Sequence, residues 1–180
     1  MIGLIVSGLL ASAAPVSTPP KVTASSKDFG AWQMRCETRK SGPESQTICG
    51  LVSSITVKNS DGTPTVATVI MVRQVAGADA GNYQLSMELP LSVWLPSGVI
   101  LRDAEQQELM RLPFVSCHPQ GCQAGSIIGP DLMAKLTASG NSAAATYELQ
   151  IRKTVTLTFS MNGFNDALKA LANKNVGAAS

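Results

Sequence analysis

The chain has 180 residues, 44% of them apolar and only 14% charged, with 14 basic and 12 acidic side chains and a formal net charge of +2. That length suits one domain with a real core, and the composition excludes a disordered chain. The charges are scattered and no run of Lys or Arg exceeds two, so the concentrated basic patch of a nucleic-acid binder is missing and no nucleic-acid partner is expected.

At the amino end, Ile2 to Leu10 is almost unbroken apolar and leads into Ala11-Ser12-Ala13-Ala14 before Pro15. A short apolar core closed by Ala-x-Ala is the pattern of a secretory signal peptide, so residues 1–14 are read as one, cleaved after Ala13 or Ala14. As a helix the segment would span about 20 Å, short of the ~30 Å hydrocarbon core of a bilayer. No transmembrane span is expected in the mature chain. Residues 15–27, rich in Pro, Ser and Thr, read as a flexible lead-in. The folded domain is expected over 28–174, with a tail over 175–180.

Phe29 to Glu37 reads as a strand with Trp32, Met34 and Cys36 on one face, which places Trp32 in the core. A polar loop, Thr38 to Gln46, returns to a strand over Thr47–Lys58, where Cys49, Leu51, Ile55 and Val57 share a face. Asn59-Ser60-Asp61-Gly62 is a turn signal. Val66 to Val75 is apolar on both faces at its centre and predicts an internal strand. Another turn, Gly77 to Asn82, precedes the cleanest period of two, in which Tyr83, Leu85, Met87, Leu89 and Leu91 alternate with polar residues and Pro90. Trp94, just before a Pro-Ser-Gly turn, is read as core, with an exposed binding aromatic as the alternative.

Val99–Arg102 and Leu109–Val115 are further strands, separated by a charged turn. Gly129-Pro130-Asp131 starts a helix whose buried side is Leu132, Met133 and Leu136. Tyr147, Leu149 and Ile151 alternate, as do Val155, Leu157, Phe159 and Met161. Phe164, Ala167, Leu168 and Leu171 then keep helical spacing. Short strands without a βαβ rhythm predict a mainly β fold. The expectation is a single antiparallel β-sandwich or barrel-like domain with one or two short helices, including a C-terminal one.

In an exported protein an even cysteine count suggests disulfides, and four cysteines allow three connectivities. The local one, Cys36–Cys49 with Cys117–Cys122, agrees with the strand faces. Chain entropy gives it roughly 3 kcal/mol for the first loop and about 2 for the second. Zinc is the weaker reading, because the four cysteines lack paired Cys-x2-Cys knuckles, and a redox role would usually show Cys-x-x-Cys at a helix start.

The single histidine, His118, sits inside the Cys-x4-Cys loop beside Pro119. No nucleophile elbow, phosphate-binding glycine loop or His-Glu-x-x-His helix is present, and the acids are scattered, so no catalytic, metal or cofactor residue is assigned.

Four segments in one order carry a resemblance. They are Phe29-Gly-Ala-Trp32-Gln-Met-Arg-Cys36 with Cys49; Leu89-Pro-Leu-Ser-Val-Trp-Leu-Pro-Ser-Gly-Val99; Phe114 followed by Cys117-His-Pro-Gln-Gly-Cys122-Gln-Ala124; and Phe159-Ser-Met-Asn-Gly-Phe164-Asn-Asp-Ala-Leu168-Lys-Ala-Leu171. Together they resemble the invasion-associated locus B family over about Asp28 to Lys174, with Ser92 departing from a frequent Gly. The resemblance implies a bacterial cell-envelope protein exported to the periplasm, with surface association or secretion as alternatives, linked in pathogenic members to invasion of host cells. It supplies no catalytic residues.

The leading expectation is therefore a non-enzymatic, disulfide-clipped β domain that binds an envelope or host macromolecule. Its contact surface would be His118, Pro119 and Gln120, held rigid between Cys117 and Cys122. A glycan-acting hydrolase using paired carboxylates and a small-ligand or lipid carrier are the alternatives.

Overall fold

The protein is seen in a computed structural model that describes residues 21–41, 43–58, 60–75 and 81–176. The expected signal peptide, the start of the lead-in, most of the turn from Gly77 and residues 177–180 lie outside the described residues.

In chain order the elements are β1 (Lys21–Phe29), β2 (Trp32–Ser41), β3 (Glu44–Lys58), β4 (Pro64–Gln74) and β5 (Tyr83–Leu89), then a 3-10 turn (Leu95–Ser97). They continue with β6 (Val99–Arg102), β7 (Glu108–Leu112), β8 (Phe114–His118), β9 (Gly121–Ile128), helix α1 (Pro130–Thr137), β10 (Ser142–Glu148), β11 (Thr154–Ser160) and helix α2 (Phe164–Val176). One sheet has seven strands in the order β1-β2-β3-β4-β5-β9-β8, and the other has four, β11-β10-β6-β7. Every pairing is antiparallel. Both sheets have free edges, so the architecture is two open sheets rather than a barrel.

Several features depart from the sequence reading. First, the chain from Lys21 is not a flexible lead-in. It pairs with β2 along its full length, from Lys21↔Lys40 to Phe29↔Trp32. Residues 21–28 of this edge strand are exposed, so backbone hydrogen bonds hold it and no apolar period marks it. The expected strand Phe29 to Glu37 accordingly breaks at Gly30-Ala31, where Gly30 takes φ 62 in a two-residue turn.

Second, the polar loop Thr38 to Gln46 shrinks to a tight hairpin. Strands β2 and β3 stay paired out to Ser41↔Glu44, with the Thr38 and Thr47 hydroxyls 2.9 Å apart across the ribbon. Third, the apolar run Leu109–Val115 is two strands. It changes sheet at Pro113, with β7 beside β6 and β8 beside β9. Proline cannot donate to a ladder, whereas its carbonyl accepts from Gly125 N–H at 3.0 Å. Similarly, β10 begins at Ser142 with Ala143, Ala144 and Ala145 buried, and it stops at Glu148 before Ile151.

Both sheets and both helices contribute to one core cluster. Leu51, Val72, Leu85 and Met87 come from the large sheet, Val99, Leu101 and Ala145 from the small one, and Met133 and Leu136 from α1. The chain's C-terminal helix supplies Phe164, Ala167 and Leu171, each 0% exposed. Trp32 is 2% exposed and lies 4.7 Å from the Phe164 ring, centroid to centroid, with its indole N–H donating to the Ser160 carbonyl at 3.0 Å. That satisfies the one polar atom of a large buried aromatic.

Candidate interaction surfaces

The Cys-x4-Cys segment is a β-hairpin tip rather than an irregular loop. Cys117 and Cys122 face each other across β8 and β9 as a disulfide with 4.0 Å between Cα atoms, and His118 pairs with Gly121. Only Pro119 and Gln120 remain in the turn, and His118, Pro119 and Gln120 are all exposed. At the base, a Cβ on Gly121 would stand 2.5 Å from the Leu89 carbonyl oxygen, so the tip is pressed against the end of β5. The ladder, the disulfide and this close approach leave the tip little freedom to lose on binding.

Gln120 also lines an open cleft of about 260 Å³ with Val66, Thr68, Glu88, Leu89 and Pro90. Glu88 is held there from two sides. Gln123 Nε2 donates to its carboxylate Oε1 at 2.9 Å, and the Thr68 hydroxyl donates to its backbone carbonyl. A second open cleft, about 320 Å³, runs over β1 and β2 between Ser25, Gln33, Arg35 and Glu37. The other disulfide, Cys36–Cys49, lies in the core, 7% and 3% exposed, and staples β2 to β3 at directly opposed positions.

A further surface was not legible in the sequence. Trp94 is not core: it is 37% exposed, and Leu91, Leu95 and Ile151 beside it in the chain's two adjacent loops are 51%, 49% and 77% exposed. The segment 91–98 and the turn 149–153 are tied together by Trp94 N–H to the Glu148 carbonyl at 2.7 Å, Gln150 N–H to the Ser92 carbonyl at 2.8 Å, and the bridge Val93↔Leu149. The Arg152 guanidinium lies over the Trp94 ring, 5.0 Å from its centroid. Its Nε is 3.4 Å from Glu148 Oε2, a buried oxygen that has no hydrogen-bond partner, so the pair is ionic in character. Arg152 takes φ 62, a left-handed conformation more usual for Gly or Asn. Leu91 continues the period of two that starts at Tyr83, so the pattern marks it for burial, whereas β5 ends at Leu89 and Leu91 is left outside.

Among the described residues, no group of three or more His, Cys, Asp and Glu could hold a metal. In the β3–β4 turn, Asp61 titrates below its ordinary value because Thr63 donates to its carboxylate. Burial pushes the Tyr83 and Tyr147 phenols up. Among the described residues, no helix is long and apolar enough to cross a membrane.

Comparison with known proteins adds two findings. A family model described as "Invasion associated locus B (IalB) protein" matches residues 32–172. The fold is similar to the crystal structure of invasion associated protein b from Bartonella henselae, at a TM-score of 0.68 and 19% identity, covering 85% of this chain and 98% of that one. No curated protein matches the chain.

Proposed function

The chain belongs to the invasion associated locus B family, and from that membership we propose that it is an exported, non-enzymatic bacterial envelope protein that binds another macromolecule. Its contact is the hairpin tip His118-Pro119-Gln120, and the partner is an envelope component or, in host-cell interaction, a host macromolecule. The protein works in the periplasm, or at the surface after passing through it, once residues 1–14 are removed.

One observation carries this reading: an exposed three-residue tip is locked by the Cys117–Cys122 disulfide and opens onto the cleft that Gln120 shares with Glu88. The bridge contributes about 2 kcal/mol to the fold in the chain-entropy model, and it also fixes the shape of the tip. A contact fixed in advance loses less entropy on binding. Two disulfides in a small domain also suit an oxidising compartment.

The test places a photo-crosslinking residue at Gln120 and, separately, at Lys169 on α2, whose side chain is 78% exposed, in the native bacterium. A specific macromolecular adduct from Gln120 and none from Lys169 is expected. Adducts from neither position, or equally from both, would overturn the assignment of the tip.

A further inference from the structure

We propose that the paired loops around Trp94 and Ile151 form a second, separate docking surface, for an anionic lipid bilayer. The inference is independent of the hairpin-tip contact.

The apolar side chains come first. Leu91, Trp94, Leu95 and Ile151 are exposed large hydrophobics on two loops held side by side by backbone hydrogen bonds. Scattered single exposed apolar residues need no explanation, but four on adjoining loops do. Ile151, at 77% exposure, stands in the turn between β10 and β11 and projects outward instead of lining a cleft. The two clefts described above are lined by other residues. A projecting apolar tip is suited to insertion into a soft surface, and a partly exposed Trp, here 37% exposed, is the side chain that prefers the boundary of headgroup and acyl chain.

Charge then selects the lipid. Residues 89–102 and 149–165 contain no Asp or Glu, whereas the second loop carries Arg152 and Lys153, both exposed. Arg111, from β7, reaches the same end and donates from Nη1 to the Ser97 carbonyl at 2.5 Å. The carboxylates facing this group are Glu148, within 3.4 Å of Arg152, and Glu108, 4.0 Å from Arg111. Three cations against two carboxylates leave this end of the domain net positive, which complements anionic headgroups. The left-handed Arg152 is a third observation. Residues held in that conformation are retained where the surroundings fix them, and here the result is a guanidinium parked on the exposed Trp94 face. The loops are already bonded to each other, so docking orders little new chain.

The test is sedimentation of the protein with vesicles of phosphatidylethanolamine and phosphatidylglycerol, with pure phosphatidylcholine vesicles as the neutral comparison. Trp94 is its own probe: Trp32 is 2% exposed, so quenching by lipids brominated in the acyl chains reports Trp94. Binding to the anionic vesicles with quenching is expected. Trp94→Ser with Ile151→Ser should weaken binding by about tenfold or more, as loss of two buried apolar side chains implies. Arg152→Gln or Lys153→Gln should each weaken it by about fivefold. All four positions are exposed, and circular dichroism checks that each variant keeps the fold. Replacing His118-Pro119-Gln120 should leave vesicle binding unchanged, which separates this surface from the hairpin tip. Absence of binding to anionic vesicles, or binding insensitive to the Trp94 and Ile151 changes, overturns the proposal. So does a finding that these residues bind a protein while vesicles are ignored.

Discussion

A Cβ placed on Gly163 would stand 1.9 Å from the Phe29 carbonyl oxygen, so the start of α2 meets the β1–β2 turn backbone to backbone. Gly163 also takes φ 84, and Ala31 N–H donates to the Asn162 carbonyl at 3.0 Å beside it. Any side chain must push the two segments apart. Gly163→Ala is expected to cost roughly 1–3 kcal/mol through backbone strain alone. Urea unfolding followed by circular dichroism checks this, and an unchanged midpoint would mean that the contact relaxes freely.

Truncating Trp32 removes the largest buried side chain and its stacking on Phe164. Trp32→Ala is expected to cost about 3–5 kcal/mol, and Trp32→Phe distinctly less, because the ring contact survives while the bond to the Ser160 carbonyl does not. The pair of unfolding midpoints separates packing from hydrogen bonding.

The two disulfides should differ in their response to mild reductant. Cys117 is exposed, whereas Cys36, Cys49 and Cys122 are buried, so an attacking thiolate has ready access only to the hairpin-tip bridge. Timed alkylation and mass spectrometry should find Cys117 and Cys122 labelled first. Simultaneous labelling of all four would indicate that reduction needs global unfolding.

At high pH the buried phenols become a liability. Burial raises Tyr83 and Tyr147 above the ordinary 10.0, so between that value and their folded values the unfolded chain has released protons that the folded one keeps. Stability from these groups is fully present below about pH 10 and is lost as pH rises through the folded values. Phenolate absorbance and the unfolding midpoint should move together there. Ionisation of both phenols near pH 10 without any loss of stability would contradict it.

The parts of this fold that were legible are those in which burial writes a period. Tyr83 to Leu89, Val155 to Phe159 and the helix from Phe164 each carry an apolar face at regular spacing, and the structure has strands and a helix there. What burial does not write was missed. Strand β1 is exposed throughout residues 21–28, so nothing in its composition distinguishes it from a lead-in. Pro113 divides an apolar run between two sheets; Leu112 before it is buried and Val115 after it is exposed, but all are apolar and the run reads as continuous. Trp94, Leu95 and Ile151 are large and apolar, and a sequence gives no cue that such residues are left outside. The hairpin tip was visible as a cysteine spacing, while the cleft beside Gln120 depends on β4 and β5, which are distant in the chain.

The change of sheet at Pro113 also governs the order of assembly. The chain lays down five strands of the large sheet, leaves to build β6 and β7 of the small one, returns for β9 and β8, and departs again for β10 and β11. Neither sheet is a contiguous piece of sequence, so no cut separates one from the other. A chain emerging amino end first would hold β5 with one edge vacant until residues beyond Pro113 arrived. Its last helix, carrying the partner ring for Trp32, would arrive later still. Pairing between strands so distant in the chain slows folding and leaves that strand edge open for longer.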